Sequence, residues 1–191
     1  MSHKSLQILH DEHRALAALL SSTALLLAEH RHRGTLPPFE PLRAMLFYLD
    51  EFAEQRHHRK ESALLFPLIR KRCGETGDSL DRLDHDHARG EHAIRNLEHA
   101  LLAFEMMGTS RQPAFEQAMA SYIDFYRTHM RLEEDVILPL ARKVLTDGDW
   151  QQLDAAFEQN RDPLLGHAPE AEYERLFQHI VQITPAPYGL G

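Results

Sequence analysis

The sequence predicts an all-α protein, an up-down-up-down four-helix bundle with a short C-terminal helical extension. Three observations lead there. Apolar residues recur at steps of three and four along four long segments, and no stretch keeps the two-residue period of a strand. Glycine and proline punctuate the chain between those segments, at Gly34, Pro37, Pro38, Gly74, Gly77, Gly108 and Pro113. The pattern His-x3-Glu-x5-Pro occurs twice, as His57, Glu61 and Pro67 and as His129, Glu133 and Pro139, at an offset of 72 residues.

The first helix is expected over residues 5–33, stopping at Gly34 before the Pro37-Pro38 pair. The second covers 39–73 and ends at Gly74; Pro67 should kink it or end its regular part. The third covers 79–107, with Gly108 as its stop. The fourth starts near Pro113, a residue suited to a first helical position, and reaches about residue 146 past Pro139. A short helix near 149–159 and a last one near 169–181 follow, then an extended tail. Residues 1–147 are thus read as the bundle and 148–191 as an extension packed on it, covering a bundle end or supporting a homodimer.

Apolar spacing then selects the inward positions. The first stripe is Leu6, Leu9, His13, Leu16, Leu20, Ala24 and Leu27. The second is Leu46, Leu49, Ala53, His57, Glu61, Leu64 and Leu68. The third is Leu80, Leu83, His87, Gly90 or Glu91, Ile94, Leu97 and Leu101. The fourth is Phe115, Met119, Tyr122, Tyr126, His129, Glu133, Val136 and Leu140. Each is interrupted once, by His or by His with Glu. His58, His85 and His92 fall off the stripes, and His10 lies beside one. Tyr122 and Tyr126 are read as core, and as the nearest groups that could stand behind His129. His13 and His57 are nearly equidistant from the first turn, as His87 and His129 are from the third. At about 1.5 Å rise per residue each pair mismatches in height by only about 3 Å. Four imidazoles and two carboxylates therefore converge on one layer.

A lone core histidine is usually just packed and hydrogen-bonded. Two buried ionised carboxylates without partners are another matter, costing several kcal/mol each. No Lys or Arg stands in the stripes to neutralise them, whereas a pair of cations would. Nitrogen and oxygen ligands without thiolate suit Fe, Mn or Zn. Six ligands exceed what a four-coordinate structural zinc needs, so a di-iron centre is favoured, with one glutamate per half able to bridge.

The totals exclude other classes. A net charge of −8 and the lack of a basic stripe argue against nucleic acid. No apolar run approaches a membrane span. The start has no apolar leader, and a single cysteine, Cys73, fits a reducing cytoplasm. No catalytic residue can be named from the pattern.

On His13 in LHDEHRAL, His57 and Glu61 in HHRKESALLFP, His87 in DHDHARGEHAIRNLE, and His129 and Glu133 in HMRLEEDVILP, the chain resembles the hemerythrin-like, HHE cation-binding family over roughly residues 5–145. The resemblance implies two Fe ions joined by carboxylate and oxo or hydroxo bridges, and binding or sensing of O2 or NO. Its alternative implication is a di-iron enzyme of oxidative or nitrosative stress, breaking down peroxide or repairing iron-sulfur clusters. Oxygen-carrying members have a second histidine four residues after the first on the third helix, where this chain has Glu91. They have Asp five residues after the fourth-helix histidine, where this chain has Glu134, although the internal repeat favours Glu133.

Overall fold

Helix α1 spans Lys4–Arg33 in a computed structural model that describes residues 3–74, 77–160 and Leu164. Gly34 ends it in the left-handed region at φ 64°, its N–H and that of Thr35 returning to the last carbonyls. Helix α2 is α-helical over Phe39–Tyr48, π-helical over Leu49–His58 and again over Glu61–Leu65, and α-helical over Phe66–Arg72. Helix α3 spans Gly77–Met107, and the 3-10 turn Gly108–Arg111 leads to α4. Helix α4 is α-helical over Gln112–Leu132, π-helical over Glu133–Ile137 and α-helical over Leu138–Val144. Helix α5, Asp147–Phe157, is capped by Thr146 and Asp149, each side chain bonding the other's backbone N–H. There is no strand among the described residues, and no helix of theirs is long and apolar enough to cross a membrane. The expected helix near 169–181 and the tail lie outside the described residues.

The prolines of the repeated pattern explain the two short π turns. A proline inside a helix lacks the N–H owed to the carbonyl four residues back, and its ring crowds that carbonyl. For Pro67 and Pro139 those carbonyls belong to Ala63 and Asp135, inside the wide turns. The Glu61 carbonyl accepts from the Phe66 N–H and the Glu133 carbonyl from the Leu138 N–H, five residues on rather than four. The helix therefore continues past each proline, with one residue more in its preceding turn.

That extra residue corrects two of the expected stripes. Beyond Glu61 the inward positions are Leu65 and Ile69, not Leu64 and Leu68, which are only partly buried. Beyond Glu133 they are Ile137 and Ala141; Val136 is 41% exposed. The stripes on α1 and α3 hold as expected, except that Ala24 is half-buried against the core.

The buried apolar residues fall into two groups. One gathers Leu16, Leu20, Met45, Leu49, Leu97, Phe104, Phe115 and Tyr126. The other gathers Leu6, Leu9, Phe66, Ile69, Leu83, Ile137 and the α5 residues Trp150, Leu153 and Phe157. Each fully buried large side chain contributes about 1.5–3 kcal/mol, and these two clusters hold the bundle together. Between them lies a layer that is buried and polar. At one end α5 also substitutes for a missing cap: the Ser5 N–H and hydroxyl both donate to Asp154, at 2.8 and 2.6 Å.

Candidate metal centre

The polar layer holds all six predicted residues. His13, His57, His87 and His129 are at most 8% exposed, and Glu61 and Glu133 are fully buried. His13 Nε2 meets His57 Nε2 at 3.2 Å, and His87 Nε2 meets His129 Nε2 at 3.2 Å. The carboxylates stand between these pairs. Glu61 Oε2 is 3.5 Å from Nε2 of both His57 and His87. Glu133 turns Oε2 to His13 Nε2 and Oε1 to His129 Nε2, each at 3.2 Å. Each carboxylate thus faces histidines of both halves.

A seventh residue, excluded by the α-helical stripe, also belongs here. His58 is 4% exposed and stacks on His87 with ring centroids 4.2 Å apart. Together the layer resolves into two clusters, His13, His57, Glu61 and Glu133, and His58, Glu61, His87 and His129. Ligand atoms within each cluster lie within 4.8 Å of one another. The correction has a local cause. In an α-helix consecutive residues diverge by about 100°, which sets His58 off the stripe that His57 keeps. The stretch Leu49–His58 is π-helical and turns less per residue, and both imidazoles are buried at its end.

Glu91 does not join them. It is partly exposed and pairs with Arg95 at 3.5 Å. Gly90 takes the inward place, and the carboxylate of Glu54 occupies the space: a Cβ on Gly90 would come within 2.7 Å of Glu54 Oε2. Glu54 in turn accepts from His58 Nδ1 at 3.0 Å, from the Tyr122 hydroxyl at 3.1 Å and from the Tyr126 hydroxyl. Position 91 thus brings no side chain to the layer, whereas His58 brings an imidazole from α2.

The other imidazoles are held from behind in the same way. His57 Nδ1 donates to Glu12 at 2.7 Å and His13 Nδ1 to Glu134 at 2.9 Å. His87 Nδ1 meets the Ser62 hydroxyl at 2.8 Å, which donates to Asp84 at 2.7 Å. Asp86 faces His129 Nδ1 at 3.9 Å, wider than a direct hydrogen bond. For His13, His57 and His87 the engaged Nδ1 fixes the ring and leaves Nε2 directed at the layer's centre, the arrangement metal-binding histidines adopt; His129 Nδ1 has no direct partner among the described residues. His10 stands 3.7 Å from Glu134 and belongs to neither cluster. Of these outer groups only Glu134, His10 and the two tyrosines stood out in the sequence. Glu12 and Asp86 immediately precede a histidine, and Glu54 sits four residues before one, which is a usable signal.

The electrostatics show a layer short of positive charge. Both oxygens of Glu61 and of Glu133 are buried without a hydrogen-bond partner. Burial and the neighbouring Glu133 charge push Glu61 up to about 8. Burial works the same way on Glu133, but the charge of His129 and the close approach of the His129, His13 and His87 ring nitrogens outweigh it and hold its carboxyl well below the usual range. His13 is raised to about 10: burial opposes the charge, but the carboxylates of Glu133 beside Nε2 and of Glu134 bonded to Nδ1 overcome it. His129 is likewise raised to about 10 against burial, mainly by the Glu133 charge. His58, buried beside His87 and His129, is held well below its ordinary value and stays neutral. Without a cation the two carboxylates compete for protons; with one, both can ionise. The donor set therefore fits a metal.

The family model for the hemerythrin HHE cation-binding domain matches residues 4–141. The chain belongs to the hemerythrin family. Cation binding is what that family's domain does, and the buried His/Glu clusters fit such a site. No curated protein and no solved structure matches the chain. Within the hemerythrin match lie all seven central residues, whereas α5 and Asn160 fall outside it.

Proposed function

We propose that the protein is a di-iron hemerythrin that binds or senses a small diatomic gas, O2 or NO. One iron would be held by His13, His57, Glu61 and Glu133, the other by His58, His87, His129 and Glu61, with Glu133 Oε1 also on that side. Iron supplies the ferrous–ferric couple on which gas binding depends. The chain's own residues do the rest. Glu12 and Glu134 hold the His57 and His13 rings, Glu54 holds His58, and the two apolar clusters keep bulk water from both ends.

The observation that carries this reading is a cavity against His13 and His57. About 20 Å³ of it is open to a water-sized molecule, little more than one such molecule requires. Leu16, Tyr48, Phe52 and Ala53 form its apolar wall. A space of that size suits a diatomic molecule or peroxide better than an organic substrate. Anaerobic purification with metal quantification, followed by stopped-flow spectra on adding O2, NO and peroxide, tests it. Two irons per chain and a spectral change with O2 or NO are expected; no iron, or no response to either gas, would sink it.

Glu54 favours a second reading, a di-iron enzyme that breaks down peroxide or takes part in nitrosative-stress repair. Burial pushes this carboxyl up to about 7, against the hydrogen bonds from Tyr126 and Tyr122. A group that gains or loses a proton near neutrality, one hydrogen bond from His58, is suited to acid–base work. Oxygen evolution from peroxide that is lost in Glu54→Gln would select this reading over the first.

A further inference from the structure

Helix α5 ends at Phe157, and three residues later Asn160 turns back into the bundle, 3% exposed. Its position is fixed from three sides. The backbone N–H bonds the Phe157 carbonyl at 2.9 Å. The side-chain Nδ2 donates to Glu12 Oε1 at 2.8 Å, while Oδ1 accepts from Lys60 Nζ. Lys60 also donates to the Ala156 carbonyl at 2.8 Å, tying the residue before Glu61 to the end of α5. Only one amide orientation serves both neighbours, because a flip would set NH2 against the ammonium and the carbonyl against the carboxylate. The other oxygen of Glu12 accepts from His57 Nδ1 at 2.7 Å. Asn160, Glu12 and His57 thus form one chain of hydrogen bonds, and all three line the small cavity together with His13.

We propose that Asn160 is a positioning residue of the metal centre: its buried amide holds Glu12 on His57, so that the segment after α5, outside the hemerythrin match, completes the site. The proposal rests on the metal-binding reading above. A carboxylate with two free rotamer-rich torsions holds an imidazole poorly unless its second oxygen is also engaged. Asn160 engages it with a neutral donor and leaves the carboxylate charge of Glu12 facing His57 Nδ1, which raises the basicity of Nε2. An ammonium in its place would neutralise that charge.

The test uses the full chain and Co2+ as probe, with affinity measured by chelator competition and the His57 ring nitrogens followed by NMR in the metal-free protein. Asn160→Ala is expected to weaken Co2+ binding by about 10-fold or more, the range seen for groups behind metal ligands. In a Glu12→Ala background the same substitution should change affinity less than about 2-fold, since nothing remains for the amide to hold. Asn160→Asp keeps the size and the Lys60 contact and sets a carboxylate against Glu12, so it should match or exceed the loss. Affinity unchanged in Asn160→Ala, or an equal loss with and without Glu12, overturns the proposal. A wild-type chain that binds no cobalt sinks the metal reading instead. The His57 Nδ1 resonance then decides on Asn160 by itself: a shift in Asn160→Asp supports the contact, and an unmoved resonance overturns it.

Discussion

Helices α2 and α4 leave the metal layer alike and enter it differently. Both carry His-x3-Glu-x5-Pro, and in both a wide turn begins at the glutamate. Helix α4 reaches His129 as an ordinary α-helix, and the next residue, Met130, packs with the apolar core. Helix α2 arrives through the π-helical stretch Leu49–His58, and there the next residue, His58, turns into the site. An identical sequence frame therefore delivers one imidazole from α4 and two from α2. No proline lies within Leu49–His58; what distinguishes that stretch is Glu54, buried opposite Gly90 and bonded to two tyrosines. The asymmetry of the site lies in the backbone winding ahead of the shared frame, in the stretch that carries buried Glu54.

The sharpest way to break the comparison is to remove the groups that differ and those that are shared. Glu61 belongs to both clusters, so Glu61→Ala should abolish binding of both metals, read by metal quantification after loading. His58→Ala should remove one metal of two, and Met130→Ala neither. Equal metal content in His58→Ala and the wild type would return His58 to a packing role. In the metal-free protein the sign reverses for Glu61. Its carboxyl is raised from 4.5 to about 8, so it withdraws stability as pH rises through that interval. Glu61→Gln should accordingly melt higher than wild type at neutral pH when metal-free, and lower when metal-loaded.

The histidines give a second test, again with opposed signs. His13 and His129 are raised from 6.5 to about 10 in the folded metal-free chain. A raised histidine contributes stability that is fully present below 6.5 and is lost as pH rises through the folded value. The metal-free protein should lose stability from neutral pH towards pH 10, seen as a falling melting temperature. Metal binding must displace the same protons, so its affinity should rise over that range, with proton release measurable by calorimetry in buffers of different ionisation enthalpy. A pH-independent affinity would mean that these imidazoles are already neutral.

The prolines offer a smaller effect. Pro139→Ala would let Glu133–Ile137 close as α-helix, which would carry Ile137 and Ala141 off the inward face. Repacking of that kind costs about 1–3 kcal/mol, measurable by denaturant unfolding. Unchanged or raised stability would show that core packing, rather than the proline, sets the wide turn. Pro67→Ala should behave alike in α2 and leave His58 buried, because the stretch that turns His58 inward lies ahead of Glu61.

Periodicity made most of this legible. It located α1 to α5 to within a few residues and brought His13, His57, Glu61, His87, His129 and Glu133 to one layer. It failed wherever the helix stopped being α. Leu65, Ile69, Ile137 and Ala141 each lie one residue beyond the expected position, and His58 was turned away by a wheel that assumes 3.6 residues per turn. The proline was visible as part of a motif, yet its consequence, one residue inserted per turn, needed the backbone. Glu12, Glu54, Asp84, Asp86 and Asn160 stayed hidden for another reason. They flank the stripes or come from outside the bundle helices, and a hydrogen bond across the bundle leaves no period in the sequence.

The smallest predicted effect concerns the junction where the two halves differ once more. Helix α4 runs straight into α5 through Leu145 and Thr146, whereas α2 reaches the start of α5 through Arg72, which donates to Asp149 at 3.0 and 3.2 Å. Thr146 serves both connections, capping α5 and accepting from Arg72 at 3.4 Å. Thr146→Ala should cost about 1 kcal/mol, as loss of an N-cap hydroxyl does, and leave metal content unchanged. Arg72 and Thr146 also hold the Asp149 carboxyl well below its usual range. A depressed carboxyl contributes stability above its unfolded value near 3.8 that is lost as pH falls through the folded one. Wild type and Thr146→Ala should therefore differ at neutral pH and converge in acid. A gap that persists undiminished at low pH would assign the effect to helix propensity and detach it from the Asp149 contacts.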